Sequence, residues 1–342
     1  MNNFQQLVSE LQKRVRQEPN NACFINDYAI ALMEINDYEE AFFQLKKAAD
    51  IHPNVQSLNN LAYFYYSEGE PLGEGTWKIK GKEAIELLKK VIEQNPSSYF
   101  PYNLLGEIYT DNRHYDQAKE VLVKAIRIQP TLENLNNLGI CYYKTSLLEK
   151  AAEYFYQAHL KRDENNLSLH PLLSYGICLA ELGEREEALK TANNLLILNQ
   201  DLGDDLEDEI AHIYYITGDY SKFVSIYSKL NLLFYDIECM PPYLFALKEI
   251  GQLDKMRDVV NSIIKHKSKE IEDTLIDSDE EWEPGRKEEY IHELQTEITF
   301  LRNAMKQVIE GKRPAFEYEP SVERRCYLFG CRRHKNPNYL SC

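Results

Sequence analysis

Leu105-Gly106-Glu107-Ile108-Tyr109, followed by Ala118, Leu122, Ala125 and Pro130, decides how this chain folds, because the pattern returns. The next copy reads Leu138-Gly139-Ile140-Cys141-Tyr142, then Ala151, Phe155 and Ala158. Ala118 and Ala151 are 33 residues apart, and Ala84 precedes Ala118 by 34. A period of this length holds two helices and a turn, a unit that buries its apolar face only by stacking on its neighbours. Following one position along the chain gives Ala41, Ala84, Ala118, Ala151, Ala188, Phe223 and Met256, seven copies over residues 21–266. A small residue there lets adjacent helices approach closely, so Phe223 and Met256 imply wider spacing in the last two copies. Pro53, Pro96 and Pro130 stand where each second helix must stop.

In this spacing of Leu-Gly, Tyr, Ala, a large apolar residue, Ala and Pro, the chain resembles the tetratricopeptide repeat (TPR) family. The resemblance implies an all-α fold, a right-handed α-solenoid of about seven helix pairs whose first helices line a concave groove. Residues 1–20, with Phe4, Leu7, Val8, Leu11 and Val15 at helical spacing, read as an N-terminal capping helix ahead of the array at 21–266. Residues 267–285 read as an acidic linker, since Glu270 to Glu283 holds eight acidic residues and no Lys or Arg. Ile291, Leu294, Ile298, Leu301, Met305 and Val308 then predict an amphipathic C-terminal capping helix over 286–311, and 312–342 is a basic Cys/His tail. The gap of 43 residues between Ala41 and Ala84 marks an inserted loop near Glu70–Trp77, with Trp77 as a candidate ligand contact.

Composition narrows the function classes. The 342 residues carry a net charge of -16 with 44% hydrophobic content, enough for a folded core. With 14 Gly and 13 Pro the chain is poor in turn residues, which argues against an all-β sandwich or barrel. No apolar run approaches a membrane span and no basic, then apolar leader opens the chain, so a cytoplasmic protein with no membrane partner is expected. Seven Cys spread over this length fit reduced thiols better than a disulfide framework. The charge divides into +4 on residues 312–342 and -20 on the rest. Nucleic acid is disfavoured for the body, and Arg324, Arg325, Arg332 and Arg333 are expected to lie against the acidic body. A monomer is expected, with a short coiled-coil dimer seam on 286–311 as the alternative.

No metalloprotease, nucleophile-elbow, P-loop or dinucleotide fingerprint occurs, so no catalytic residue and no enzyme are expected. The resemblance implies that the first helices present their inward positions to a ligand. Asn26, Asn59, Asn103 and Asn136 share one such position in four consecutive copies. A carboxamide donates and accepts at once, so an Asn ladder can hold the backbone of an extended peptide whatever its side chains. Tyr63, Tyr66, Ile140 and Tyr143 would seat the ligand's side chains, and Asp205, Asp208 and His212 make the far end acidic. The Lys/Arg clamp of the family's chaperone-binding members is absent, because Asn26 and Ile30 stand where it needs Lys and Asn. In the tail, Cys326, Cys331, His334 and Cys342 are a candidate zinc set; no cofactor is otherwise required. The expected function is a non-enzymatic scaffold binding a protein or peptide segment. The alternatives are a peptide-sensing regulator or an inhibitor/immunity-type partner, and a zinc-dependent assembly or nucleic-acid module centred on the tail.

Overall fold

The computed structural model describes residues 3–73, 76–164, 166–203, 205–234, 236–278 and 282–339. Seven helix pairs follow the seven copies of the pattern. They are α2 (Ala22–Glu34) with α3 (Tyr38–Ile51), α4 (Val55–Ser67) with α5 (Gly81–Glu93), α6 (Phe100–Asp111) with α7 (Tyr115–Ile128), and α8 (Leu132–Lys144) with α9 (Leu148–His159). Three more follow: α10 (His170–Glu181) with α11 (Arg185–Leu202), α12 (Glu207–Ile216) with α13 (Tyr220–Tyr227), and α14 (Met240–Glu249) with α15 (Leu253–Ile276). Helix α1 (Asn3–Gln17) precedes them and α16 (Arg286–Ile309) follows.

The chain forms two compact units, residues 1–171 with 321–342, and residues 172–320. In the first, α1 packs on α2, each pair packs internally, and α2, α4, α6 and α8 form a row, each touching the next. Ala41, Ala84, Ala118 and Ala151 are fully buried where the helices cross. The Leu-Gly signature has the same cause. A Cβ on Gly106 would lie 2.5 Å from the Leu122 side chain, and one on Gly139 would lie 2.7 Å from Phe155. In the second unit Phe223 and Met256 take the small residue's place and are also fully buried, and α16 packs on α14 and α15. Leu294, Ile298, Leu301 and Val308 of α16 are buried, so its apolar stripe is spent inside this unit.

One expected boundary changes, and the expected insertion takes a defined form. Residues 267–285 are not a linker throughout, because α15 runs on to Ile276. Ile263 and Thr274 are buried and Lys267 Nζ pairs with Glu297 of α16 at 2.5 Å, while Glu272 and Asp273 stay in solvent. A run of carboxylates is compatible with a helix when its other face is packed. Asp279, Glu280 and Glu281 lie outside the described residues. The insertion at Glu70–Trp77 is a short antiparallel hairpin, β1 (Glu70–Gly73) with β2 (Thr76–Lys78), whose tip residues Glu74 and Gly75 lie outside the described residues. Trp77 packs its ring 6.0 Å from that of Phe64, which gives it a place in the fold.

Candidate functional site

The row formed by α2, α4, α6 and α8 presents one polar face, and that face is covered by the chain's own residues 321–339. Asn54 caps α4 and Thr131 caps α8, each in a reciprocal capping box, which sets where the following turns point. On α8, Asn136 Nδ2 donates to the Ser321 carbonyl at 2.9 Å. Its neighbour Asn137 donates to the Glu323 carbonyl at 2.9 Å and accepts from the Glu323 N–H at 3.0 Å. On α4, Asn59 Nδ2 donates to the Tyr327 carbonyl at 2.7 Å. Asn60 repeats the two-way bond, donating to the Phe329 carbonyl at 2.9 Å and accepting from its N–H at 2.8 Å. Gln56, one turn earlier, accepts from the Tyr339 N–H at 2.8 Å. The segment thus crosses the helices in reverse order, from α8 to α4.

Side chains fix the register. Arg324 donates to Glu107 and to Asp111 of α6, both at 3.0 Å, and also to the Tyr66 hydroxyl. Burial pushes the Glu107 carboxyl up to about 8, against the pull of Arg324. Glu323 is held by Ser168 and, at 3.5 Å, by His170; burial raises its carboxyl, and these hydrogen bonds more than cancel that, leaving it below the usual value. Arg325 lies 4.0 Å from Glu133 and Arg333 lies 3.2 Å from Glu34. Tyr327 and Phe329 are fully buried, with the Phe329 ring stacked on Phe100 at 5.0 Å. Burying such rings is worth roughly 2–3 kcal/mol each.

The ladder expected at Asn26, Asn59, Asn103 and Asn136 therefore divides. All four are buried. Asn59 and Asn136 bond the tail backbone, whereas Asn26 accepts from Asn60 at 3.1 Å and Asn103 accepts from Asn134 at 3.2 Å. The reason lies one residue along. Asn59 and Asn136 each precede a second Asn, which takes the two-way contact, while Asn26 and Asn103 precede Asp27 and Leu104 and serve as braces. Asn60, Asn137 and Gln56 were not anticipated, and the doubled Leu-Asn-Asn-Leu at 58–61 and 135–138 was the available signal. Tyr66 meets Arg324, and Tyr63 packs beside Leu328, Cys331 and Cys326 with Ile30. Ile140 is buried and the Tyr143 ring lies 5.9 Å under Lys144. In the second unit, His212 lies under Phe316, ring centroids 3.8 Å apart, with its Nε2 2.8 Å from the Tyr227 hydroxyl. Burial drives this imidazole down to about 4, so it is a neutral core residue and not part of an exposed acidic end.

Of the candidate zinc set, Cys326, Cys331 and His334 come together, their ligand atoms within 4.8 Å of one another. Cys342 lies outside the described residues. Cys326 donates toward Cys331, which lowers the Cys331 thiol and raises its own.

The family model for the tetratricopeptide repeat matches residues 101–132, the span of α6 and α7. Residues 101–132 are a tetratricopeptide repeat, and the seven helix pairs share its pattern. The chain is similar to anaphase-promoting complex subunit 3 of Schizosaccharomyces pombe (strain 972 / ATCC 24843), 24% identical over 184 residues, 46% of this chain and 27% of that protein. It is also similar to response regulator aspartate phosphatase E of Bacillus subtilis (strain 168), 26% identical over 222 residues, 57% of each protein. The chain spans about a quarter and just over half the length of these two relatives. Among solved structures, the APC/C hetero-tetramer Cut9-Hcn1 aligns with a TM-score of 0.48 at 18% identity, over 72% of this chain and 46% of that one. A tetratricopeptide array is a protein-interaction scaffold. No helix among the described residues is long and apolar enough to cross a membrane.

Proposed function

We propose that this tetratricopeptide scaffold is non-enzymatic and receives extended peptide segments along α4, α6 and α8, with its own residues 321–339 as the resident occupant that a partner segment replaces. One observation carries the reading. Asn60 and Asn137 each donate to and accept from a single tail residue, Phe329 and Glu323. Such pairing reads backbone, not side chains, and is open to any chain that can lie in the same register. Selectivity then comes from an aromatic at the place of Phe329, over Phe100, and a cation at the place of Arg324, over Glu107 and Asp111.

The test is a chain ending at Pro320 to which a labelled peptide of residues 321–339 is added. One peptide per chain should bind and raise the melting temperature. In the Asn60→Ala/Asn137→Ala background the affinity should fall at least tenfold, since each lost pair is worth about 1–3 kcal/mol. Binding that ignores these substitutions would sink the reading. The similarity to a response regulator aspartate phosphatase supports a second reading, in which the partner is a response regulator. Capture of such a partner by the shortened chain, and its loss on adding the peptide, would join the two.

A further inference from the structure

The turn after Phe329 gathers three metal-ligating side chains that the peptide contacts do not use. The Cys326 and Cys331 sulfurs and a His334 ring nitrogen lie within 4.8 Å of one another, with His334 Nδ1 3.3 Å from Cys331 Sγ. In a tetrahedral zinc site, with Zn–S near 2.3 Å and Zn–N near 2.0 Å, neighbouring ligand atoms stand roughly 3.5–3.8 Å apart. Small side-chain rotations bring the trio to that spacing.

The backbone that carries them is already formed. Gly330, at φ 82°, donates its N–H to the Pro337 carbonyl at 3.0 Å, and the Asn336 N–H bonds the Cys331 carbonyl at 2.8 Å. Asn336 Nδ2 donates to the carbonyls of Cys326 and Leu328, both at 2.9 Å, tying the first ligand to the loop that holds the other two. The chemistry of the donors selects the ion. Two thiolates and an imidazole suit zinc and reject magnesium and calcium, which take oxygen. Cys331 is buried against Ile30 and Leu328, while His334 is exposed and lines a cleft together with Arg324 and Glu107.

We propose that Cys326, Cys331 and His334 form a zinc site whose fourth position faces this cleft, to be completed by water or by a donor from a partner. Coordination takes the neutral imidazole through Nδ1 and releases one proton from each thiol, two per ion. All three ligands belong to the tail, so the bound ion stiffens the turn that seats Leu328 and Phe329. The site stands on the tail's own geometry and does not need a groove partner.

The experiment uses the full-length protein, reduced and stripped with a chelator, titrated with zinc alone and then with cobalt. Native mass spectrometry should find about one zinc per chain. Cobalt should give thiolate-to-metal charge-transfer absorption, and zinc should raise the melting temperature. Cys326→Ser and Cys331→Ser should each weaken zinc binding by about 100-fold, and His334→Ala by about tenfold or more. Failure of folded, reduced wild-type protein to take up zinc overturns the proposal without touching the peptide reading. So does stoichiometric zinc retained by the Cys326→Ser/Cys331→Ser double variant.

Discussion

At the scale of single residues, the sharpest demands are made where a side chain has no alternative. Asn60 satisfies both the N–H and the carbonyl of Phe329. Asn60→Ala leaves that pair without its partner in a buried place and should cost about 1–3 kcal/mol. Hydrogen exchange at the Phe329 amide should speed up accordingly, and an unchanged rate would mean that the contact does not persist in solution. Gly139 makes the opposite kind of demand, for absence of volume. Gly139→Ala gains helix propensity, about 1 kcal/mol in an open helix, but its Cβ would meet Phe155 at 2.7 Å. The clash should win by roughly 1–3 kcal/mol, visible as a lower melting temperature. His212 sets a pH limit. Its folded pKa of about 4 lies below the ordinary 6.5, so the folded state binds fewer protons than the unfolded one. Stability is therefore full above pH 6.5 and falls as pH drops toward 4, by roughly 3 kcal/mol at most. His212→Gln should flatten that part of the melting curve against pH.

At the scale of elements, the turn inside six of the seven helix pairs repeats a backbone state, the exception being α4 and α5, which the hairpin joins. Asn36, Arg113, Ser146, Gly183, Gly218 and Gly251 all have positive φ, between 59° and 82°. Three pairs place a glycine there and three do not. A non-glycine in this region costs about 1–2 kcal/mol, so Ser146→Gly, at φ 59°, should raise the melting temperature. Equilibrium denaturation of the purified variant checks it, and a fall would show that the Ser146 side chain contributes more than its strain removes. The same regularity explains what could be read in advance. Ala118, Ala151, Gly106 and Gly139 betray the pairs because close helix crossings favour small residues, and Ala84, Ala118 and Ala151 recur every 33–34 residues. The placement of the tail was less legible. Its +4 charge pointed to the acidic body, but charge has no register. The register comes from Tyr327 and Phe329 over Phe100 and from the second Asn of each Leu-Asn-Asn-Leu, and a one-residue difference in which Asn faces the tail lies below the resolution of a periodic pattern. The acidic run into Ile276 was hidden for a related reason, since charge reports solvent exposure and not whether the backbone is helical.

At the scale of the whole molecule, residues 321–339 are as much a part of the first unit as its helices are, because Tyr327 and Phe329 belong to its hydrophobic core. The second unit contains its own closing elements, with α16 on α14 and α15, and with Pro314 and Phe316 held by Tyr215 and His212. A chain cut after Pro320 therefore loses apolar packing and Asn pairing from the first unit. Two buried aromatic rings at roughly 2–3 kcal/mol each are a large part of the 5–15 kcal/mol that holds an ordinary domain folded. The cost should appear locally. Hydrogen exchange should lose protection along α4, α6 and α8, while α14, α15 and α16 keep theirs. Adding the peptide of residues 321–339 in trans should restore the lost protection. Protection lost evenly over all sixteen described helices would mean that the tail supports the molecule as one cooperative body. Protection lost nowhere would mean that the groove stands open without its occupant, and a partner segment would then meet no competitor.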